Sequence, residues 1–95
     1  MVLEVAILYV KQNEEKEFEA AFLKAKEIIS ASKGYVDHQL QKCIEKERKY
    51  ILLVKWESII DHTEGFKKSE RYKEWKELLH HFYDPFPVVE HYSEV

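Results

Sequence analysis

Proton transfer is the chemistry these 95 residues offer most readily, through histidine and tyrosine. His38 shares the apolar parity of a candidate strand with Val36 and Leu40, where a neutral imidazole can face an enclosed space and take up a proton. The plainer reading of the same residue is a core histidine bonded to a backbone group. His62 stands six residues after Trp56 at the start of a helical segment, placed to border a pocket mouth as proton donor or acceptor, or simply to end a helix at the surface. Trp56, Phe66, Tyr72 and Trp75 give the second half of the chain an aromatic density that can line a flat pocket for a polycyclic ligand. Rings at helical spacing also pack small cores, and both readings stand at this point. The spacing predicts that these four rings and His38 converge on one cavity between a sheet and the second helical segment.

Other chemistries are poorly served. His80 and His81 are adjacent, so on a helix they point about 100° apart and cannot share a metal, whose paired ligands favour a spacing of four. Cys43 is the only cysteine, which removes disulfides and multi-cysteine metal sites, and no motif lowers its pKa. Two glycines are too few for a phosphate cradle or a dinucleotide fingerprint, and no Ser-His-Asp signature is present. No metal and no nucleotide cofactor is therefore expected. On the last strand His91 and Tyr92 alternate, so only one of them can face inward.

The elements that must position these side chains follow from periodicity. Val2 to Val10 is apolar except for Glu4 and rich in β-branched residues, a strand with apolar residues on both faces. From Asn13, a plausible N-cap, Phe18, Ala21, Phe22, Ala25, Ile28 and Ile29 recur at helical spacing until Gly34 stops the run. Tyr35 to Ile44 alternates, with Val36, His38, Leu40 and Ile44 on one face. A charged tip, residues 45–49, leads into a strand ending at Trp56. Ser58 and Ser69 are placed to cap two helical segments, with Gly65 at a kink between them. Pro85 and Pro87 end the second, and Val88 to Val95 can form a last strand.

The order strand, helix, strand, strand, helix, strand predicts a single α+β domain over residues 1–95, of ferredoxin-like βαββαβ type with one antiparallel sheet. Helices cover one side of such a sheet, yet strands one and three are apolar on both, which points to a symmetric homodimer. Fifteen basic and eighteen acidic side chains leave a formal charge of −3, too little positive field for a nucleic-acid partner. No apolar run reaches the roughly 20 residues of a membrane span, and the start lacks a signal-peptide pattern. A reducing, cytoplasmic setting is the expectation.

Ser32-Lys33-Gly34-Tyr35, Leu53-Val54-Lys55-Trp56-Glu57-Ser58, His62-Thr63-Glu64-Gly65-Phe66-Lys67-Lys68-Ser69 and Tyr72-Lys73-Glu74-Trp75 together resemble the antibiotic biosynthesis monooxygenase (ABM) family over nearly the whole chain. The resemblance implies sheet-to-sheet pairing into a dimeric α/β barrel. It further implies oxidation of an aromatic, polycyclic substrate by O₂ without a nucleotide cofactor, in which His38 or His62 removes a proton, Tyr72 binds the oxyanion, and Trp56, Phe66 and Trp75 exclude water. A different class, a non-catalytic dimeric or stress-associated protein that holds an apolar metabolite, uses the same pocket. Haem-degrading members carry an Asn, a Trp and a His where this chain has Ile7 or a neighbour, Phe66 and Lys76, with His80 as the nearest shifted imidazole, so haem chemistry is not expected.

Overall fold

Burial alternates along the first strand, β1 (Val2–Tyr9): Glu4, Ala6 and Leu8 are buried while Leu3, Val5 and Ile7 are half-covered. A period of two is the pleat of a strand whose faces meet different surroundings. The computed structural model describes residues 1–95 and continues with α1 (Glu15–Ser30), β2 (Tyr35–Lys42), β3 (Lys49–Trp56), a π-helical turn (Asp61–Phe66), α2 (Glu70–Leu79), a 3₁₀ turn (His80–Phe82) and β4 (Val89–Tyr92). The strands form one antiparallel sheet in the order β2-β3-β1-β4, the ferredoxin-like arrangement that the sequence predicts.

Tyr50, Leu52, Val54 and Trp56 of β3 share the buried parity of β1, and both helices close over that side. From α1 come Phe18, Phe22, Ala25 and Ile29, four residues at helical spacing, and from α2 Trp75 and Leu79. Phe18 is the hub, meeting Tyr50, Phe82 and Tyr83 edge to face. The opposite face carries Leu3, Val5 and Ile7 beside Ile51 and Leu53, paired across β1 and β3, and no helix covers it. No helix is long and apolar enough to cross a membrane.

Local expectations fare unevenly. Ser58 and Ser69 do cap: each hydroxyl accepts from a backbone N–H three residues on, that of Asp61 and of Tyr72. Asn13 does not cap α1; it takes a left-handed φ of 66° in the preceding turn and the helix starts at Glu15. A register irregularity between Tyr35 and Asp37 breaks the alternation of β2, so Tyr35 pairs with Trp56 and His38 with Val54. Val36 is thereby left exposed, and Ile44 lies beyond the strand at 95% exposure rather than on its apolar face. The last strand is shorter than expected, Val89–Tyr92.

Gly34 opens β2 at φ +83°, and a Cβ there would run into the side chain of Asp61. Only glycine meets both conditions at no steric cost. Asp61 in turn accepts from the Ser58 hydroxyl at 3.0 Å, and the Glu57 N–H donates to the Gly34 carbonyl at 2.8 Å. The entry to the π-helical turn is thus fastened to the start of β2, which fixes where His62 and Phe66 point.

Candidate active site

Glu4 is the only charged residue of β1, and strand parity rather than its own preference puts it inside, 6% exposed. On the central strand it pairs with Val54 of β3 and His91 of β4. The Trp56 indole Nε1–H donates to Glu4 Oε1 at 2.9 Å, and His62 Nε2 lies 3.3 Å from the same oxygen. His62 Nδ1 is in turn 2.8 Å from Nε2 of His91. The His62 ring packs against Trp56 and Phe66, with centroids 5.3 and 6.5 Å away and planes within 21° and 24° of parallel.

Burial dominates the electrostatics. It raises the Glu4 carboxyl from 4.5 to about 7, against the Trp56 hydrogen bond and the nearby Lys67 ammonium, which both favour the charged form. It lowers His62 from 6.5 to about 4, helped by His91 and Lys67. Between pH values of about 4 and about 7, Glu4 and His62 therefore form a neutral hydrogen-bonded pair rather than an ion pair. His91 and His80 are held below the usual imidazole range, by burial first and by lysine charges second. Burial and then the charge of Glu4 raise Tyr72 and Tyr83, so both phenols remain hydrogen-bond donors.

Glu4 opens onto a cavity of about 240 Å³ between the sheet and α2. Ala6, Leu8, Leu52 and Ile29 form its floor, Phe66 and Trp75 its inner wall, and Tyr72, His80, Tyr83 and Phe86 an aromatic outer wall. Lys67 supplies the one lysine at its margin and makes no ion pair with a carboxylate. No group of three His, Cys, Asp or Glu side chains is arranged to hold a metal.

His62, Phe66, Tyr72 and Trp75 are thus brought together on one cavity. Trp56 is not in its lining; fully buried, it stands behind His62 as the donor to Glu4. The expected convergence of His38 does not occur. It sits on β2, the far edge strand, where Nδ1 meets the Tyr35 hydroxyl at 2.5 Å and the ring packs against Phe22, beside a separate open groove between α1 and β2. The physical reason is sheet order: β3 stands between β2 and Glu4 on β1, and both β3 and β1 stand between β2 and β4. Between His91 and Tyr92, the histidine faces inward. Glu4 and Tyr83 escaped sequence reasoning, although a lone carboxylate on the inward parity of an apolar strand is a signal that could have found the first.

Residues 1–78 match the family described as antibiotic biosynthesis monooxygenase. An uncharacterized protein of Bacillus subtilis (strain 168), YczJ, is 57% identical over 95 residues, covering 100% of both chains. A Bordetella bronchiseptica protein with a provisional antibiotic biosynthesis monooxygenase designation superposes at a TM-score of 0.94 and 29% identity, over 99% of this chain and 96% of its own. SnoaB, a cofactor-independent oxygenase from Streptomyces nogalater, shares the fold at a TM-score of 0.79 and 18% identity, over 99% of this chain and 92% of that one. Sequence and fold agree over almost the full length, and the chain belongs to the antibiotic biosynthesis monooxygenase family.

Proposed function

We propose that the protein oxidises a one- or two-ring phenolic substrate with O₂, with Glu4 as the base that takes the phenolic proton. The observation that carries this reading is a buried carboxyl, free of any lysine or arginine partner, opening onto an otherwise largely apolar cavity. A base poised near neutral pH in a mostly hydrophobic pocket is matched to an acidic phenol. Loss of the proton makes the ring electron-rich enough to pass an electron to O₂. The pair then combines at the ring carbon para to the oxygen, and the resulting peroxide loses water to leave a quinone. One phenol and one O₂ give one quinone and one water. The substrate supplies every electron, the ring keeps one oxygen atom, and the other leaves with the ring hydrogen and the phenolic proton.

The surrounding groups fit the steps. Tyr72 and Tyr83 offer O–H donors to the developing oxyanion, and the Lys67 ammonium adds a favourable field. Phe66, Trp75 and Leu52 exclude water from the reacting ring. Of the residues considered from sequence, His62 supports Glu4 from behind instead of meeting the substrate first, and His38 plays no part.

Volume sets the substrate class. A dry cavity of about 150 Å³ accommodates benzene, so about 240 Å³ takes one ring or two fused rings but no four-ring polyketide. The same limit argues against haem, whose macrocycle joins four pyrroles; Lys76 is exposed on α2 and His80 is enclosed by Tyr72, Tyr83 and Phe86. Incubation with mono- and dihydroxynaphthalenes, in air and under nitrogen, followed by mass spectrometry, tests the reading. Quinone formed only in air and only with protein is the expected result. Saturable thermal protection by the same compounds without oxygen gain would replace the enzyme with a binding protein.

The protein is also proposed to act as a homodimer through the sheet face that carries Leu3, Val5, Ile7, Ile51 and Leu53. An apolar strip in the middle of an uncovered sheet is a typical self-association surface. Leu53→Asp should give a folded monomer in sedimentation velocity, because the charge reaches water once the partner leaves. Val54→Asp, on the buried parity at 0% exposure, should instead fail to fold. A monomeric wild type at micromolar concentration would overturn the dimer.

A further inference from the structure

We propose that His62 and His91 form a two-imidazole relay that carries the proton taken up by Glu4 from the cavity to solvent at the β4 edge of the sheet. The inference rests on the reading of Glu4 as the base, and extends it with an exit route. A base that turns over must lose its proton between cycles, and the opening that admits substrate is blocked while product occupies it.

The geometry supplies the route. Glu4 Oε1, His62 Nε2, His62 Nδ1 and His91 Nε2 follow one another, with gaps of 3.3 and 2.8 Å on either side of one imidazole ring. Glu4 lines the cavity, whereas His91 does not and is half-buried on the four-residue edge strand. Imidazole can accept at one nitrogen while donating from the other, so the chain has two complementary states. With Glu4 protonated, its O–H donates to His62 Nε2 and the His62 Nδ1–H donates to His91 Nε2. With Glu4 ionised, His62 Nε2–H donates to the carboxylate and His91 Nε2–H donates to His62 Nδ1. Passage from the first state to the second moves each proton one step and releases one to water from His91 Nδ1. No bond other than N–H and O–H changes.

The surroundings suit this use. Trp56 and Phe66, near-parallel to the His62 ring and in contact with each other, hold the plane of that ring. Lys67 faces Glu4, His62 and His91 with its positive charge, which disfavours a resting imidazolium in the chain and so favours transfer over storage. Tyr72 and Tyr83 face Glu4 from the cavity side as un-ionised phenols. A bridging metal is a poor alternative, since 2.8 Å between the two ring nitrogens is a hydrogen-bond distance, and ligands each about 2.0 Å from a tetrahedral ion stand farther apart.

Full-length protein labelled with ¹⁵N-histidine, free of ligand and titrated across neutral pH by NMR, tests the relay directly. The expected result is a single transition shared by both rings, in which His62 Nε2 changes from acceptor to N–H as Glu4 ionises, neither ring becomes imidazolium, and Glu4→Gln abolishes the change. Separate midpoints, or a His91 titration unaltered in Glu4→Gln, would overturn it. A second arm uses His91→Ala with whichever hydroxynaphthalene the wild type oxidises. There kcat should fall about tenfold, below the hundredfold expected for loss of the base itself, with KM unchanged and with imidazole in the buffer restoring the rate. A rate that imidazole does not restore, or a change confined to KM, would count against the relay. If no hydroxynaphthalene is oxidised, the reading of Glu4 as a catalytic base falls, and the NMR titration still decides whether the three side chains share their protons.

Discussion

Glu4→Gln should lower turnover of a phenolic substrate at least a hundredfold while the fold survives, the range expected for loss of a positioned general base being about 10²–10⁴. Gln keeps the length of the side chain and an oxygen to accept the Trp56 N–H, so the lesion is confined to proton uptake. Wild-type activity should rise with pH through about 7 as the carboxyl ionises, and the variant should show no such limb. Stability provides a second reading. Glu4 binds its proton more tightly folded than unfolded, so its contribution is complete below 4.5 and is lost as the pH rises through about 7. The loss is about 3 kcal/mol at most. His62 works in the opposite sense: its contribution is present above 6.5 and is lost as the pH falls toward about 4. Between these limits the two slopes largely cancel in the wild type. In Glu4→Gln only the histidine slope remains, so the variant should gain stability on the wild type above neutral pH and fall behind its own maximum in acid. Urea melts at several pH values, beside an oxygen-uptake assay, check both effects; a variant with undiminished oxidation would remove Glu4 from the chemistry.

Trp56→Ala should cost about 3–5 kcal/mol, a large part of the 5–15 kcal/mol available to an ordinary domain. The indole is fully buried at the end of β3, stacks on His62 and packs against Tyr35 and Phe66. Its removal opens a void and also strips the buried carboxyl of Glu4 of its N–H donor. Trp56→Phe separates the two losses. It fills most of the space but donates nothing, so it should retain most of the stability while raising the Glu4 carboxyl further above about 7. The midpoint of denaturant unfolding measures the first effect and the pH–rate profile the second. Equal midpoints for Trp56→Ala and wild type would contradict the packing described for the core.

Periodicity made the architecture legible because each element buries one face of a regular pattern: the period of two in β1 and β3 and the helical spacing from Phe18 to Ile29 appear in the structure as the two layers of one core. The serine caps were legible for a similar reason, since capping is local chemistry. Asn13 and β2 were misread where backbone geometry departed from the regular pattern, through a left-handed turn and a bulge that no side-chain period records. At the site, the aromatic cluster could be read because Phe66, Tyr72 and Trp75 lie close in sequence. His38 was drawn into that cluster because apolar parity shows that a residue faces the helices, not which end of the sheet it occupies. Glu4 and His91 are 87 positions apart and meet only because β4 pairs beside β1, a fact of topology that neither segment carries alone.

The division of the site between central and edge strands has a dynamic consequence. Glu4 and Trp56 belong to β1 and β3, the paired interior of the sheet, whereas His91 and Val89 belong to a four-residue strand with one bonded neighbour, and Phe86 precedes it at 60% exposure. Exposing the first pair requires the whole molecule to unfold, while exposing the second requires only fraying at one edge. Amide exchange should therefore be slow at the base of the cavity and fast along its outer rim. Fraying of β4 would loosen the outer rim of the cavity and, in the same movement, break the link between the two imidazoles, so that the proposed proton route would be complete only while the edge strand is docked.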